Sequence, residues 1–99
     1  MKLEKFAHSR TGDKGNITNI SVIAYRPEDY EELVAKVTEE KVHQHFANMI
    51  DGPVTRYEIP SIHALNFVLE NALAGGVTRS LRLDKHGKSL GSFLLEMEI

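Results

Sequence analysis

Apolar residues change their spacing several times within only 99 residues, and this change constrains the fold more than any other feature. Residues 17–25 are rich in β-branched side chains, which is typical of a strand. Tyr30, Leu33, Val34 and Val37 then follow at the i, i+3, i+4, i+7 spacing of one helical face. Repeated switching between the two patterns predicts an α+β chain rather than a helical bundle or a sandwich of two sheets.

The complete pattern predicts the order ββααβαβα. Strands are expected over residues 2–8, 17–25, 54–59 and 77–83. Helices are expected to begin at Pro27, near Thr38, after an N-cap at Ser61, and at Lys88, where a strand is the alternative for residues 88–97. This order favours one sheet of about four strands with helices packed mainly on one face.

Length and composition narrow the class of protein. A chain of this length fits one domain over residues 1–99. Its net charge is -2 with no basic block, so nucleic acid is not an expected partner. No run approaches the roughly 20 apolar residues that span a bilayer, so no membrane role is expected. The absence of cysteine favours a reducing compartment, here the cytoplasm, and excludes thiol catalysis and thiolate metal sites.

The polar run SRTGDKGN at residues 9–16 is interpreted as a loop with two possible roles. Its two glycines allow the backbone N–H groups to turn toward a ligand, while Arg10 and Lys14 add positive charge. Asp13 and Asn16 add polar groups, so a carboxylate or phosphate is a suitable ligand. The alternative is an ordinary polar hairpin loop, and the sequence favours neither role over the other.

A second candidate group is His63, Asn66 and Glu70, which share one flank of the helix predicted from Ile62. A histidine in such a position is suited to general acid or base catalysis. An ordinary polar flank of an amphipathic helix is the more frequent situation.

Arg79 completes the candidate residues, because it lies on the apolar side of the strand predicted over residues 77–83. It needs a carboxylate or an anionic ligand there, unless it reaches water at the strand edge. His43 and His45 are two apart on a helix and cannot chelate one ion, so no metal site is predicted. No cofactor is expected either.

Several stretches together resemble one known family, the AtuA-like proteins of acyclic terpene utilisation. The run at residues 9–16 is similar to the family's Ser-Gly-Asp-Lys-Gly-Asn signature, with Thr11 as a mild departure. HALNF at residues 63–67 and GGVTRSLR at residues 75–82 resemble its second block. DKHG at residues 84–87 and LEMEI at residues 95–99 fit as well, so the resemblance extends over nearly the whole chain.

The resemblance implies a small α+β domain with a ferredoxin-like fold, in a permuted or extended version given the predicted order. In many members this domain follows a much larger AtuA domain in one polypeptide. The setting implied is bacterial breakdown of branched acids, often as coenzyme A thioesters. The resemblance supplies no catalytic residues.

Two functions remain open at this point. The favoured one is an accessory or interaction subunit that works with a separately encoded large AtuA-like protein. The alternative is a small enzyme acting on an anionic acyl substrate, with His63 as acid or base and Lys14 or Arg79 holding the anion. In either case we expect six residues to lie together in one polar pocket or interface: Asp13, Lys14, Asn16, His63, Asn66 and Arg79.

A homo-oligomer is also expected. A four-stranded sheet covered by helices on one face leaves a second face and two edges to protect. The strand at residues 17–25 carries apolar side chains on both sides and should be central in the sheet. A two-fold dimer is the commonest solution, and a monomer whose last segment covers the sheet is the alternative.

Overall fold

The computed structural model describes residues 1–14, 17–47, 50, 52–70 and 90–99, and a four-stranded sheet organises these parts. Every strand is antiparallel to its neighbours. The strands are β1 (Ala7–Lys14), β2 (Ile17–Ala24), β3 (Val54–Ile59) and β4 (Ala64–Glu70), in the order β1-β2-β4-β3. The helices are α1 (Tyr30–Lys36), α2 (Glu39–His45) and α3 (Leu90–Leu95), with 3-10 turns at Leu3–Lys5, Pro27–Asp29 and Pro60–Ile62.

Several predicted elements are confirmed. The strand expected over residues 17–25 is β2, it lies in the middle of the sheet, and the strand expected over residues 54–59 is β3. Pro27 opens the 3-10 turn that leads into α1. Thr38 caps α2, because its hydroxyl accepts a hydrogen bond from the Lys41 N–H at 3.2 Å. The last predicted segment forms helix α3 and not the strand that was the alternative.

The first strand begins later than predicted, and much of the predicted polar loop is strand. Residues 3–5 form a 3-10 turn, and β1 runs through the segment that had been interpreted as a loop up to Lys14. The cause is β2, whose residues pair with β1 without interruption from Ala24 to Ile17. Pairing with a strongly β-forming partner satisfies the backbone N–H and C=O groups of this polar run.

The helix predicted from Ile62 is wrong, as is the N-cap at Ser61. Residues 60–62 form a 3-10 turn and Ala64–Glu70 is strand β4, between β2 and β3. Leu65, Phe67 and Leu69 alternate along β4, but Leu65 and Leu69 also fit the i, i+4 spacing of a helix. Two neighbouring strands, each offering hydrogen bonds along its length, override the helical propensity of the segment.

Some predictions fall on residues outside the described parts. These are the strand at residues 77–83 and the side chains of Asn16 and Arg79. The class predicted for the whole chain is nevertheless confirmed, because the fold is α+β and ferredoxin-like.

The described elements follow a permuted ferredoxin-like path. Starting at β2, the chain continues through α1 and α2 to β3, then β4, then α3, and β1 completes the sheet. This is a βαββαβ order with β4 inserted between β2 and β3, as in the split βαβ arrangement. The two end segments meet at the junction, since the Leu3 N–H donates to the Met97 carbonyl and the Ile99 N–H to the Met1 carbonyl.

The three helices of the described residues pack on one side of the sheet, which we call the helix-covered face. Its core is formed by Phe67 and Leu69 of β4, Ile20 of β2, and apolar residues of each helix such as Leu33 and Leu94. His45 of α2 joins α3, because its ring stacks on Phe93 at 4.3 Å and its Nε2 contacts the Phe93 carbonyl at 2.7 Å. Within the described parts, no helix is long and apolar enough to cross a bilayer.

Arg56 on β3 joins the helix layer to the sheet. Its Nη1 donates to the Val34 carbonyl at 2.7 Å and to the Val37 carbonyl at 2.9 Å, at the C-terminal end of α1. The last carbonyls of a helix have no partner within the helix, and a cation there also complements the helix dipole. Arg56 therefore caps α1 from the neighbouring strand.

Candidate functional site

The second face of the sheet carries a row of polar and aromatic residues that runs from edge to edge. Arg10 of β1 lies opposite Ser21 of β2, Ser21 opposite Asn66 of β4, and Asn66 opposite Tyr57 of β3. Side chains alternate along a strand, so these four lie away from the buried positions that flank them. We call this side of the sheet the Arg10 face.

Asn66 and Ser21 form the centre of this row. The Asn66 Nδ2 donates a hydrogen bond to the Ser21 Oγ at 2.9 Å, in a half-buried position. A primary amide has two N–H donors and a carbonyl acceptor, so further hydrogen-bonding capacity faces outward after this contact. The pair supplies fixed polar groups in the middle of the face.

Arg10 is exposed, and it makes no hydrogen bond or ion pair with any other described residue. Asp13 and Lys14 also belong to β1, where their backbones lie opposite Thr18 and Ile17. The loop predicted over residues 9–16 is therefore wrong as far as Lys14, because these residues belong to an extended strand. Asn16 lies outside the described residues.

His63 occupies a different position from the one predicted for it. It lies between the 3-10 turn and β4 with φ 55° and ψ 48°, the left-handed region, and it is the one described non-glycine residue with positive φ. Histidine enters this region more readily than most residues. The Ala24 N–H donates to the His63 carbonyl at 2.9 Å, and the His63 ring meets the Tyr30 ring edge-on at 5.8 Å.

The contact with Tyr30 places the His63 ring toward α1, whereas Asn66 lies on the Arg10 face. The predicted flank of His63, Asn66 and Glu70 is consequently split, because a strand sends alternate residues to opposite sides. Asn66 and Glu70 remain on one face. Arg10 and Asn66 are brought into one row through Ser21, His63 is separated from them, and Arg79 lies outside the described residues.

Tyr30 is the described tyrosine with the most constrained hydroxyl. The side chain is buried, and its hydroxyl donates to the Ala64 carbonyl at 3.0 Å. Burial raises the pKa of Tyr30 above its ordinary value, and the negative charge of Glu58 adds to the effect. Tyr30 therefore stays neutral at ordinary pH and fixes the start of β4 to α1.

Large apolar side chains are exposed mostly on or beside the Arg10 face. Tyr57 is 55% exposed and Ile17 is 45% exposed, both at positions of this face. Tyr25 is 60% exposed and stacks on His8, which shares the Arg10 side of β1, with 5.3 Å between ring centroids. Ile62, in the turn before β4, is 54% exposed. Exposed aromatic and aliphatic groups concentrated in one region indicate a recognition surface.

Shallow hollows lie along α2 on the helix side. One of about 420 Å³ separates α2 from the start of β3, and it is lined by Glu39, Glu40, His43, Gln44, Pro53 and Val54. Another of about 310 Å³ is lined by Thr38, Glu39, Glu40, Arg56 and Glu58. Their carboxylates disfavour an anionic acyl ligand. Among the described residues, no group of three or more histidine, aspartate or glutamate side chains is arranged to hold a metal ion.

The comparison with protein families decides the identity. A family model described as the AtuA ferredoxin-like domain matches residues 1–99. The chain belongs to this family. Comparisons with curated proteins and with solved structures gave no match. The resemblance inferred from residues 9–16, 63–67 and 75–82 is thus confirmed for the AtuA ferredoxin-like domain, over residues 1–99 of this chain.

Sequence reasoning missed Ser21, Tyr25 and Tyr57 in this AtuA ferredoxin-like domain. A signal for Ser21 was present, because Asn19 and Ser21 alternate with buried residues along β2. Its partner was not visible, since Asn66 had been assigned to a helix and the register between β2 and β4 was unknown. Tyr57 joins the row only through the pairing of β3 with β4.

Proposed function

We propose that this AtuA ferredoxin-like domain is an interaction subunit that works with a separately encoded large AtuA-like protein. In this proposal the two proteins take part in the breakdown of branched acids, including terpenoid acids, as coenzyme A thioesters in the cytoplasm. Family membership supports the proposal, because in many members this domain accompanies a large AtuA domain. A chain without cysteine suits a reducing compartment.

The observation that carries the proposal is the Arg10 face. Two tyrosines more than half exposed flank a hydrogen-bonded Ser21–Asn66 pair and an Arg10 that has no partner in the described parts of the chain. Tyrosine and arginine contribute much of the binding energy of protein interfaces, and ordered polar groups at the centre of a face give orientation. A surface of this composition is suited to binding protein.

Co-purification with the large protein tests this function. A large AtuA-like protein is co-expressed with the tagged domain, and the mixture is separated by size exclusion. We expect both chains in one peak, and we expect the large protein to turn over its acyl thioester faster with the domain than without it. A large protein that neither binds the domain at micromolar concentration nor changes its rate would refute the proposal.

One observation favours the alternative, a small enzyme that uses His63. A non-glycine residue in the left-handed region costs free energy, and such residues are concentrated at functional sites. In this mechanism His63 moves a proton, while Lys14 or Arg79 binds the acyl anion. Arg79 lies outside the described residues.

His63→Asn separates the two functions, because asparagine also accepts the left-handed backbone but cannot act as acid or base near neutral pH. If His63 is catalytic, this variant lowers turnover of acyl-thioester substrates by the isolated domain about 100-fold or more. Under the interaction proposal the isolated domain has no such turnover, and the variant leaves the activity of the complex unchanged. Circular dichroism confirms that the variant is folded.

A further inference from the structure

We propose that the Arg10 face binds a second copy of this chain about a two-fold axis parallel to the strands, with Arg10 of each copy on Tyr57 of the other. The inference rests on the proposed interaction function and names the partner of this face in the free domain, so the large protein would bind here in place of the second copy. It concerns the row Arg10, Ser21, Asn66 and Tyr57, which crosses all four strands in register.

The symmetry of this row points to a second copy. An axis that runs along the strands between β2 and β4 exchanges β1 with β3 and β2 with β4. Strands are evenly spaced, about 4.8 Å apart, so two such sheets can stack face to face with each row opposite its own equivalent. Arg10 then meets Tyr57 of the second copy twice, and Ser21 meets Asn66 twice.

The chemistry of the paired positions is complementary. Arg10 is exposed without a partner among the described residues, and the Tyr57 ring is 55% exposed. A guanidinium group over a tyrosine ring is attracted by the ring quadrupole, and this attraction strengthens when water is excluded. At the centre, the Asn66 amide has a second N–H donor and its carbonyl for the Ser21 hydroxyl of the other copy.

The other possible in-plane axis is less favourable. An axis perpendicular to the strands at the level of this row places Arg10 on its own equivalent, and like charges at such a distance repel each other. It also places Tyr57 on its own equivalent and leaves both arginines without an aromatic partner. The axis parallel to the strands therefore gives the better charge arrangement.

Apolar groups beside the row add area to the same contact. The His8–Tyr25 stack and Ile23 lie on the strand ends toward the turn before β4. Tyr25 is 60% exposed, which leaves most of its surface for burial between copies. Aromatic side chains are enriched in protein interfaces, so burial of this surface would add to the contact between copies.

Light scattering of the purified chain gives the first test. The expected mass is twice the chain mass of 11.1 kDa at micromolar concentration. Arg10→Glu should raise the dimer dissociation constant about tenfold, since it removes two cation–π contacts. Lys41→Glu is the matched control, because it makes the same charge change on the exposed side of α2 and should leave the dissociation constant unchanged.

A cross-linking test identifies the register, and the chain suits it because it contains no cysteine. Stacked sheets lie about 10 Å apart, so thiols at facing positions are too far apart for a disulfide but within reach of a short thiol-specific cross-linker. Arg10 and Tyr57 of one chain lie on the two outer strands, about 14 Å apart, which is beyond that reach. A variant with both Arg10→Cys and Tyr57→Cys should therefore form a covalent dimer with the cross-linker, whereas each single variant should form little, because its thiols lie far apart in the proposed dimer.

The outcomes separate this inference from the proposed function. A monomer of about 11 kDa, or efficient cross-linking of the Arg10→Cys variant alone, overturns the dimer described here. A monomer that still elutes with the large AtuA-like protein overturns this inference and retains the proposed function. A dimer with the expected cross-link that does not bind the large protein retains this inference and overturns the proposed function.

Discussion

The two faces of the sheet differ in what their side chains contact, although they come from the same strands. On the helix-covered face Phe67 and Leu69 of β4 are fully buried by the helix layer. On the Arg10 face Asn66, between Leu65 and Phe67, is half-buried and bonded to Ser21, and Tyr57 beside it is 55% exposed. One residue along the chain thus separates core from recognition surface.

The comparison shows how a small domain divides two tasks. Burial on the helix-covered face supplies most of the hydrophobic stabilisation, which scales with the apolar area removed from water. The Arg10 face keeps apolar and polar groups at the surface, where they are available to a partner. Substitutions on the first face should therefore change folding, and substitutions on the second should change binding.

Phe67 and Val68 give the sharpest contrast, because they are adjacent in β4 and point to opposite faces. Phe67→Ala should lower the free energy of unfolding by about 3–5 kcal/mol, since it leaves a cavity under the helices. Val68→Ala, on the Arg10 face, should cost about 1 kcal/mol or less in the isolated chain. Urea denaturation measures both, and equal losses would contradict the division between the faces.

Arg56 tests how strongly the helix layer depends on the sheet. Arg56→Met should lower the free energy of unfolding by about 1.5–3 kcal/mol, because the carbonyls at the end of α1 lose a charged donor. Arg56→Lys should recover only part of this loss, since an ammonium group lacks the planar geometry of the guanidinium.

The control for Arg56 is Arg26→Met. Arg26 is 67% exposed, so water screens its ion pair with Asp29 and the loss of stability should be much smaller. A loss as large as that of Arg56→Met would show that surface charge, rather than capping of α1, determines the effect.

The third-largest change in stability is expected from substitutions of two glycines, one on each face of the sheet. At Gly91 of α3 an added Cβ would lie 2.5 Å from the Thr11 Oγ1 and 2.6 Å from the Ser9 Oγ, on the helix-covered face. Gly91→Ala should therefore cost about 1–3 kcal/mol through overpacking. At Gly12 the nearest atom would be the Asn19 Oδ1 at 3.3 Å, at the end of a side chain on the Arg10 face.

Gly12→Ala should accordingly change the free energy of unfolding by no more than about 0.5 kcal/mol. Thermal unfolding of the two variants side by side measures the difference. Destabilisation of Gly12→Ala beyond that of Gly91→Ala would place the tight contact on the wrong face.

Tyr30 predicts the smallest effect, a loss of stability in alkaline solution. Because burial raises its pKa, the folded chain holds the phenolic proton more tightly than the unfolded chain. The resulting stabilisation is present below the ordinary pKa near 10 and is lost as pH rises from there through the folded pKa. Urea denaturation between about pH 8 and pH 11 should show this fall.

Tyr30→Phe should remove that part of the pH dependence and cost about 0.5–1.5 kcal/mol at neutral pH, because the Ala64 carbonyl loses its donor. Tyr57→Phe, on the Arg10 face, should leave the alkaline fall due to Tyr30 in place. An unchanged fall in Tyr30→Phe would assign it to another group.

The sequence by itself determined the fold class, β2, β3, the helices after Pro27 and Thr38, and the family. These elements depend on local patterns: β-branched runs, helical spacing and capping residues act within a few positions of one another. The family follows from short signature stretches whose order along the chain can be read directly. None of these inferences needs to know which strands are neighbours.

Only the tertiary structure determines that residues 9–14 and 64–70 are strands. Both segments are locally ambiguous, the first polar and the second compatible with a helix, and both became strands because β2 offers each of them a hydrogen-bonding edge. That pairing also created the candidate site. Arg10, Ser21, Asn66 and Tyr57 are distant in sequence, and only the register of four strands places them in one row, while it turns His63 toward Tyr30.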